Sequence, residues 1–279
     1  MFEITRRKQL NKSTVLMKII APKITSKAKP GQFIILRVDE YSERIPLTIA
    51  EADTSTGEIT IIYQTVGAAT GRLGMLTQGD HILDFTGPLG RASELDGYKR
   101  AAVVGGGLGC AIAYPQAEYL HSAGCYVDII AGFRNTDLII LEEEMTAVCD
   151  RLIITTDDGS NGHKGLVTDT LRECIEAGAV YDIVIAIGPV VMMKFVAALT
   201  LEYGIKTMVS LNPIMIDGTG MCGGCRVTVA GKKMFACIDG PDFDGHLVDY
   251  DELINRNKTY TEREARECNL LKKEIDPDA

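Results

Sequence analysis

The chain has 279 residues, 46% of them apolar and 24% charged, with a formal net charge of −9. That length accommodates two ordinary domains plus a small appendage, and that composition supports large cores and argues against disorder. The acidic balance disfavours nucleic acid and anionic membranes as partners, and no run of about 18 apolar residues is present to cross a bilayer. The stretch Met1–Leu10 carries basic residues but no following apolar run with a small-residue cleavage site, so a cytoplasmic protein is expected.

In chain order, residues 1–98 read as short strands broken by turn residues. Thr14–Ile20, Gln32–Val38, Glu58–Thr65 and His81–Phe85 are separated by Pro30-Gly31, Thr56-Gly57, Gly79-Asp80 and Gly87-Pro88. Such spacing predicts a small antiparallel β-barrel. Residues 99–210 change pattern. Strands are expected at Ala101–Val104, Tyr126–Ala131, Leu152–Thr156, Asp182–Ile187 and Thr207–Ser210. Helices are expected at Ile112–Ser122, Leu138–Cys149, Gly165–Ala177 and Val190–Leu201. The alternation predicts parallel βαβ units in an open doubly wound sheet. Residues 211–245 form a Gly/Cys-rich module in which Val227–Val229 and Lys233–Ala236 suggest a hairpin. Residues 246–279 form a charged, helix-prone tail, with Thr261–Lys273 its best helix.

Eight cysteines are too sparse for a disulfide scaffold, yet Cys222, Cys225 and Cys237 crowd together. Cys222 and Cys225 have the C-x2-C spacing that lets two thiolates grip one metal centre, and the hairpin returns Cys237 beside them. The run Asp217-x4-Cys222-x2-Cys225-x11-Cys237 keeps a plant-type [2Fe–2S] spacing, with Asp217 where a first cysteine is usual. A carboxylate can ligate iron, although it is a harder ligand than thiolate. Zinc, with a distant fourth ligand such as His246, remains the competing metal. Asp217-Gly218 also reads as a simple turn.

Gly105, Gly106, Gly107, Leu108 and Gly109 follow a short apolar strand and precede a helix. Glycine there lets backbone approach a pyrophosphate, and the helix N-terminus favours the anion. Cys110 occupies the last position of the strict dinucleotide fingerprint, which therefore fails. The ends of other strands fall in the same crevice: Arg134 after the second, Asp157 and Asp158 after the third, Gly188 and Pro189 after the fourth. Arg134 is a candidate phosphate or ribose contact and, equally, an ordinary surface arginine. Asp157 is a candidate ribose contact or a turn residue. No acidic residue stands in the usual ribose-binding place about 20 residues beyond the glycines, where Cys125, Tyr126 and Val127 lie.

The order of barrel, Gly-rich α/β domain and cysteine module resembles the ferredoxin–NADP reductase superfamily. The likeness is to its branch containing the dihydroorotate dehydrogenase electron-transfer subunits and the small subunits of NADH-dependent reduced ferredoxin:NADP oxidoreductases. It is carried over residues 10–250 by Pro30-Gly31-Gln32-Phe33, Arg44–Ala50, Thr86–Gly90, Gly105–Gly109, the Asp217–Cys237 module and Asp239–Phe243. The resemblance implies FAD on the barrel, held by Ile45, Pro46, Leu47 and Thr48 and by Tyr63, Gln64, Val66, Gly67, Ala69 and Thr70. Arg44 stands one place early for the arginine that relatives use. The resemblance further implies NAD(H) or NADP(H) as substrate, hydride exchange with the flavin, and one-electron exchange with the cluster, with no acid–base residue required. It implies a larger partner subunit with its own flavin and [4Fe–4S] clusters, in a complex that bifurcates electrons. Asp217, where dihydroorotate-linked relatives usually have Cys, tilts the reading toward the ferredoxin:NADP side. The alternatives are a dihydroorotate dehydrogenase electron-transfer subunit and a zinc-stabilised redox-sensing or scaffold subunit.

Overall fold

Alternation of apolar and polar residues gives the first half its strands, each with one face inward. In the computed structural model, which describes residues 1–275, they are β1 (Phe2–Gln9), β2 (Thr14–Ile20), β3 (Phe33–Arg37), β4 (Ile45–Asp53), β5 (Glu58–Gln64), β6 (His81–Ile82) and β7 (Asp84–Leu89). They form one antiparallel sheet in the order β6-β1-β2-β5-β4-β3-β7. Only Leu83 separates the two end strands, so the sheet curls into a near-closed barrel. The Leu83 amide donates to the Val38 carbonyl at 3.1 Å at that corner. Ile4, Met17, Ile34, Leu36, Ile59, Ile61 and Tyr63 fill the interior. Two short helices, α1 (Pro22–Thr25) and α2 (Ala68–Met75), complete this half, and Leu73 of α2 is fully buried.

The second half is a parallel sheet in the order β10-β9-β8-β11-β12. Its strands are β8 (Arg100–Gly106), β9 (Tyr126–Phe133), β10 (Arg151–Thr156), β11 (Ile183–Ile187) and β12 (Thr207–Ser210). The intervening helices are α3 (Gly109–Ser122), α4 (Glu142–Ala147), α5 (Val167–Glu176) and α6 (Val190–Glu202). Strands buried on both faces need near-continuous apolar runs, and Ala101–Val104 and Ile183–Ile187 supply them. α3 packs on one face, α5 and α6 on the other. Asp128 is wholly buried in β9, where burial raises its pKa. The bonds from Arg151 (2.8 Å), Tyr181 (2.7 Å) and Arg100 (3.2 Å) outweigh that and hold it below the usual carboxylate value.

Beyond β12 come the hairpin β13 (Arg226–Val229) and β14 (Lys232–Phe235), α7 (Ala236–Asp239), β15 (Asp242–Asp244), α8 (Tyr250–Asn257) and α9 (Thr261–Ile275). β15 runs antiparallel to β12 and extends the second sheet, with Asp242 opposite Ser210. Thr207–Ser210 is therefore not the last strand of that sheet. α9 returns to the barrel: Leu271 touches Gly71 of α2, and Arg72 pairs with Glu274 at 2.6 Å.

Three expectations change in physical detail. The helix expected over Leu138–Cys149 is only α4, because Leu141 sits at φ 55° and caps it, while Ile140 and Leu141 point into the core. His81–Phe85 is two strands around the barrel corner, not one. β1 was not among the expected strands; Arg6, Arg7 and Lys8 mask its pattern, and its pairing with β2 and β6 stabilises it. The expected tail extends past the described residues at 276–279.

Candidate functional site

The carboxyl ends of the parallel strands open toward one side of the barrel, and a cavity of about 1020 Å³ lies between them. The order β9-β8-β11-β12 reverses direction between β8 and β11, the place where open α/β sheets bind ligands. Gly106, Gly107, Leu108 and Gly109 line the cavity after β8, Arg134 after β9, Asp157 after β10, and Gly188 and Pro189 after β11. Pro46, Leu47, Thr48, Gln64 and Val66 line it from the barrel.

The glycines divide the work at the turn. Gly107, at φ 56°, has open space where a side chain would begin, so its backbone is free to meet a phosphate. Gly109 is packed: a Cβ there would lie 2.1 Å from the Ile187 carbonyl oxygen. Gly105 lies behind the loop against Cys110, whose thiol burial pushes up to about 12. Cys110 is thus an inert packing residue at this turn.

Strand alternation sorts the other expected residues. Tyr63 points into the barrel core rather than the cavity, and its hydroxyl has no partner among the described residues. Ile45 packs against that same core. Gly67, Ala69 and Thr70 form the first turn of α2 beside Val66. The Thr70 hydroxyl accepts from the Val66 and Gly67 amides at 3.1 and 3.0 Å and so caps its own helix. Arg134 and Asp157 are exposed at the rim. Asp158, beside Asp157, is held below the usual carboxylate range by hydrogen bonds from Ser160. Sequence reasoning did not single out Phe33, Leu166, Met192, Phe195, Asn212 or Pro241 as site residues, yet all line the cavity. Only Phe33 and Pro241 lay in quoted motifs; the rest carry no local signal.

The cysteine module sits against the barrel. A Cβ on Gly218 would meet Ile35 and Leu89, and the Arg91 guanidinium donates to the Ile238 carbonyl at 3.1 Å. Cys225 and Cys237 are buried together, the Cys237 amide donating to Cys225 Sγ at 3.5 Å. Burial, then the Cys225 thiol, push Cys237 up to about 12. Cys222 is exposed, with the Gly224 amide 3.4 Å from its sulfur. Asp217 is half-buried. Its carboxylate accepts from the Thr219 hydroxyl and, at 3.0 Å, from the Thr219 amide, and these bonds hold it below the usual range. Among the described residues no three His, Cys, Asp or Glu side chains converge as a ready metal site. Two buried thiols, a third thiol on a glycine loop and amides aimed at sulfur are nonetheless a donor set that fits an iron–sulfur cluster.

Barrel, doubly wound sheet and crevice between them define a ferredoxin–NADP reductase-like fold. A ferredoxin NADP+ reductase from Neisseria gonorrhoeae, solved with FAD and NADP, shares it at TM-score 0.60 and 17% identity, over 73% of this chain and 90% of that one. Residues 212–249 match the iron–sulfur cluster binding domain of dihydroorotate dehydrogenase B, which sets the zinc reading aside. A Thermotoga maritima protein described as a dihydroorotate dehydrogenase B (NAD(+)) electron transfer subunit homolog is 43% identical over 94% of this chain and 92% of its own length. A solved NADH-dependent reduced ferredoxin–NADP oxidoreductase, studied for flavin-based electron bifurcation, matches at TM-score 0.90 and 42% identity over 95% of both chains. The chain belongs to the dihydroorotate dehydrogenase B electron-transfer subunit family. It is an electron-transfer subunit of a flavin and iron–sulfur oxidoreductase. Among the described residues no helix is long and apolar enough to cross a membrane.

Proposed function

We propose that the chain is the NAD(H)-side subunit of an electron-bifurcating NADH-dependent reduced ferredoxin:NADP oxidoreductase, working in the cytoplasm. One observation carries the reading: a single cavity is walled on one side by Pro46–Thr48, Gln64 and Val66 and on the other by five parallel strand ends. FAD against the barrel wall would accept a hydride as an electron pair and release electrons singly to a [2Fe–2S] cluster. The chain's own residues do the positioning. Gly106–Gly109 receive the dinucleotide pyrophosphate on backbone amides at the start of α3. Thr48 and Gln64 offer polar contacts to the flavin, and the first turn of α2, at Gly67–Thr70, offers amides to its phosphates. Phe33 from the barrel and Pro241 from the segment before β15 line the cavity and exclude water. Asp157 and Asp158 put negative charge where a 2′-phosphate would fall, which favours NAD(H) over NADP(H).

Cys222, Cys225 and Cys237 are the thiolate ligands of the cluster. Asp217 is the fourth ligand, which requires its carboxylate to leave Thr219 as metal binds. Support for the larger partner, with its own flavin and [4Fe–4S] clusters, comes from the likeness to the bifurcating reductase along the whole chain. The names of several relatives favour a second reading, an electron-transfer subunit for dihydroorotate dehydrogenase.

Anaerobic titration of the loaded protein tests the first step. NADH is expected to bleach the flavin and cluster bands together, with NADPH much slower; a spectrum unchanged by either nucleotide overturns the reading. Purification from the native host separates the partners. A large flavin and [4Fe–4S] subunit supports the first, and a dihydroorotate dehydrogenase the second.

A further inference from the structure

One half-buried carboxylate, with one oxygen closed to solvent, lies outside both cofactor sites. Asp242 sits on β15 at the edge of the parallel sheet, opposite Ser210 of β12. Its Oδ2 accepts from the Ser93 hydroxyl at 2.5 Å, and the strand pairing sets the Ser210 side chain nearby. Ser93 belongs to the barrel side: its amide donates to the Pro30 carbonyl at 3.0 Å. Gly31 seals the junction. A Cβ there would lie 2.0 Å from Ser93 Oγ and 3.2 Å from Asp242 Oδ2, and φ is +83°. The other oxygen, Oδ1, is inaccessible to solvent and has no partner among the described residues. The neighbours face the crevice: Phe33, Ser210, Leu211 and Pro241 all line the cavity, and the Leu211 amide donates to the Pro241 carbonyl at 2.9 Å.

Charged groups on the surrounding elements are directed elsewhere. Arg91 binds the Ile238 carbonyl and faces Asp239 at 3.7 Å. Glu94 and Asp244 act on Lys206, and Lys29 is exposed. The Ser93 hydroxyl, from the barrel side, is thus the hydrogen-bond partner of Asp242, with the Ser210 hydroxyl its neighbour on the sheet.

We propose that Asp242 is a positioning residue, a proton-sensitive latch that joins the barrel to the α/β sheet through Ser93 and Ser210 and so sets how the two walls of the cavity face each other. The proposal rests on the flavin and dinucleotide reading of that cavity. Ionised, the carboxylate leaves water with Oδ1 unpaired, a cost that its hydroxyl contacts only partly offset, so the closed junction favours the protonated form. Protonated, it becomes a donor as well, and one hydroxyl must turn to accept. Burial, the dominant cause, pushes the carboxyl up to about 6, so the change falls near physiological pH. The nicotinamide reaches the flavin only when the walls are in register, and small misplacements of reacting groups cost about two orders of magnitude in rate.

The test uses the protein loaded with FAD and cluster. Flavin bleaching by NADH is followed by stopped flow from about pH 5 to about pH 8. The expected wild-type rate falls about tenfold as pH rises through an inflection near 6. In Asp242→Asn the inflection vanishes, and in Ser93→Ala the apparent KM for NADH rises with flavin and iron content unchanged. Hydrogen exchange gives a readout independent of turnover. Amides of 31–33 and 210–211 are expected to exchange faster above that pH in wild type, after correction for intrinsic rates, and not in Asp242→Asn. An unchanged inflection or exchange profile in Asp242→Asn overturns the latch. A wild-type protein that NADH does not bleach overturns the cavity reading instead, and the exchange result still decides the latch.

Discussion

The dinucleotide crevice and the cysteine module are built on opposite principles. In the crevice, strand ends and a packed turn fix backbone amides before anything binds: Gly109 touches the Ile187 carbonyl, and Gly107 faces open space. In the module, Cys225 and Cys237 are buried together, while Cys222 is exposed and Asp217 half-buried on the glycine loop. An organic cofactor can be met by dipoles the fold has already oriented. A metal centre draws its last ligands in as it binds, so part of its site exists only with the metal.

The comparison is broken most severely at Gly109. Gly109→Val drives a side chain into the β11 backbone, and about 3 kcal/mol of stability and most NADH binding are expected to be lost. Thermal melting and NADH titration measure this; near-wild-type values would show that the turn is adaptable. The module is expected to respond the other way. Cys225→Ser should abolish the cluster absorption and iron content while FAD binding persists. Asp217→Ala should lower iron occupancy, and Asp217→Cys should restore it with an altered EPR signal. Full iron and an unchanged signal in Asp217→Ala would remove the carboxylate from the ligand set.

A milder change sharpens the rim of the crevice. Asp157→Asn is expected to raise NADPH use relative to NADH about tenfold, or about 1.4 kcal/mol, read as a ratio of kcat/KM values. A further effect concerns stability at the junction. Asp242 rises from its usual 3.8 to about 6 on folding, so the folded state holds the proton more tightly. Its contribution is fully present below about pH 4 and is lost as pH rises through about 6, a change of roughly 2–3 kcal/mol. Urea unfolding of wild type and Asp242→Asn should therefore diverge with pH across that window, and parallel curves would show that the carboxyl does not titrate there.

Local signals made much of this legible. Period-two runs marked β2, β3 and β5, apolar runs between turns marked β8 and β11, and the glycine turn and C-x2-C spacing marked both cofactor regions. Tyr63 shows the limit: the motif was found, but one step along a pleated strand decides whether a residue faces the cavity or the core. Phe195 and Leu166 had no signal at all, because helix periodicity does not say that a half-exposed apolar residue overlooks a crevice.

By itself the sequence determined what depends on neighbours in the chain: strand and helix periods, a turn that only glycine can make, and thiols spaced to reach one centre. Tertiary structure alone decided what joins distant segments. β15 leaves the cysteine module to pair with β12, and only that register sets Asp242 against Ser93 and Ser210. Such a contact has no period or motif, since its geometry comes from packing the barrel against the sheet rather than from the residues on either side.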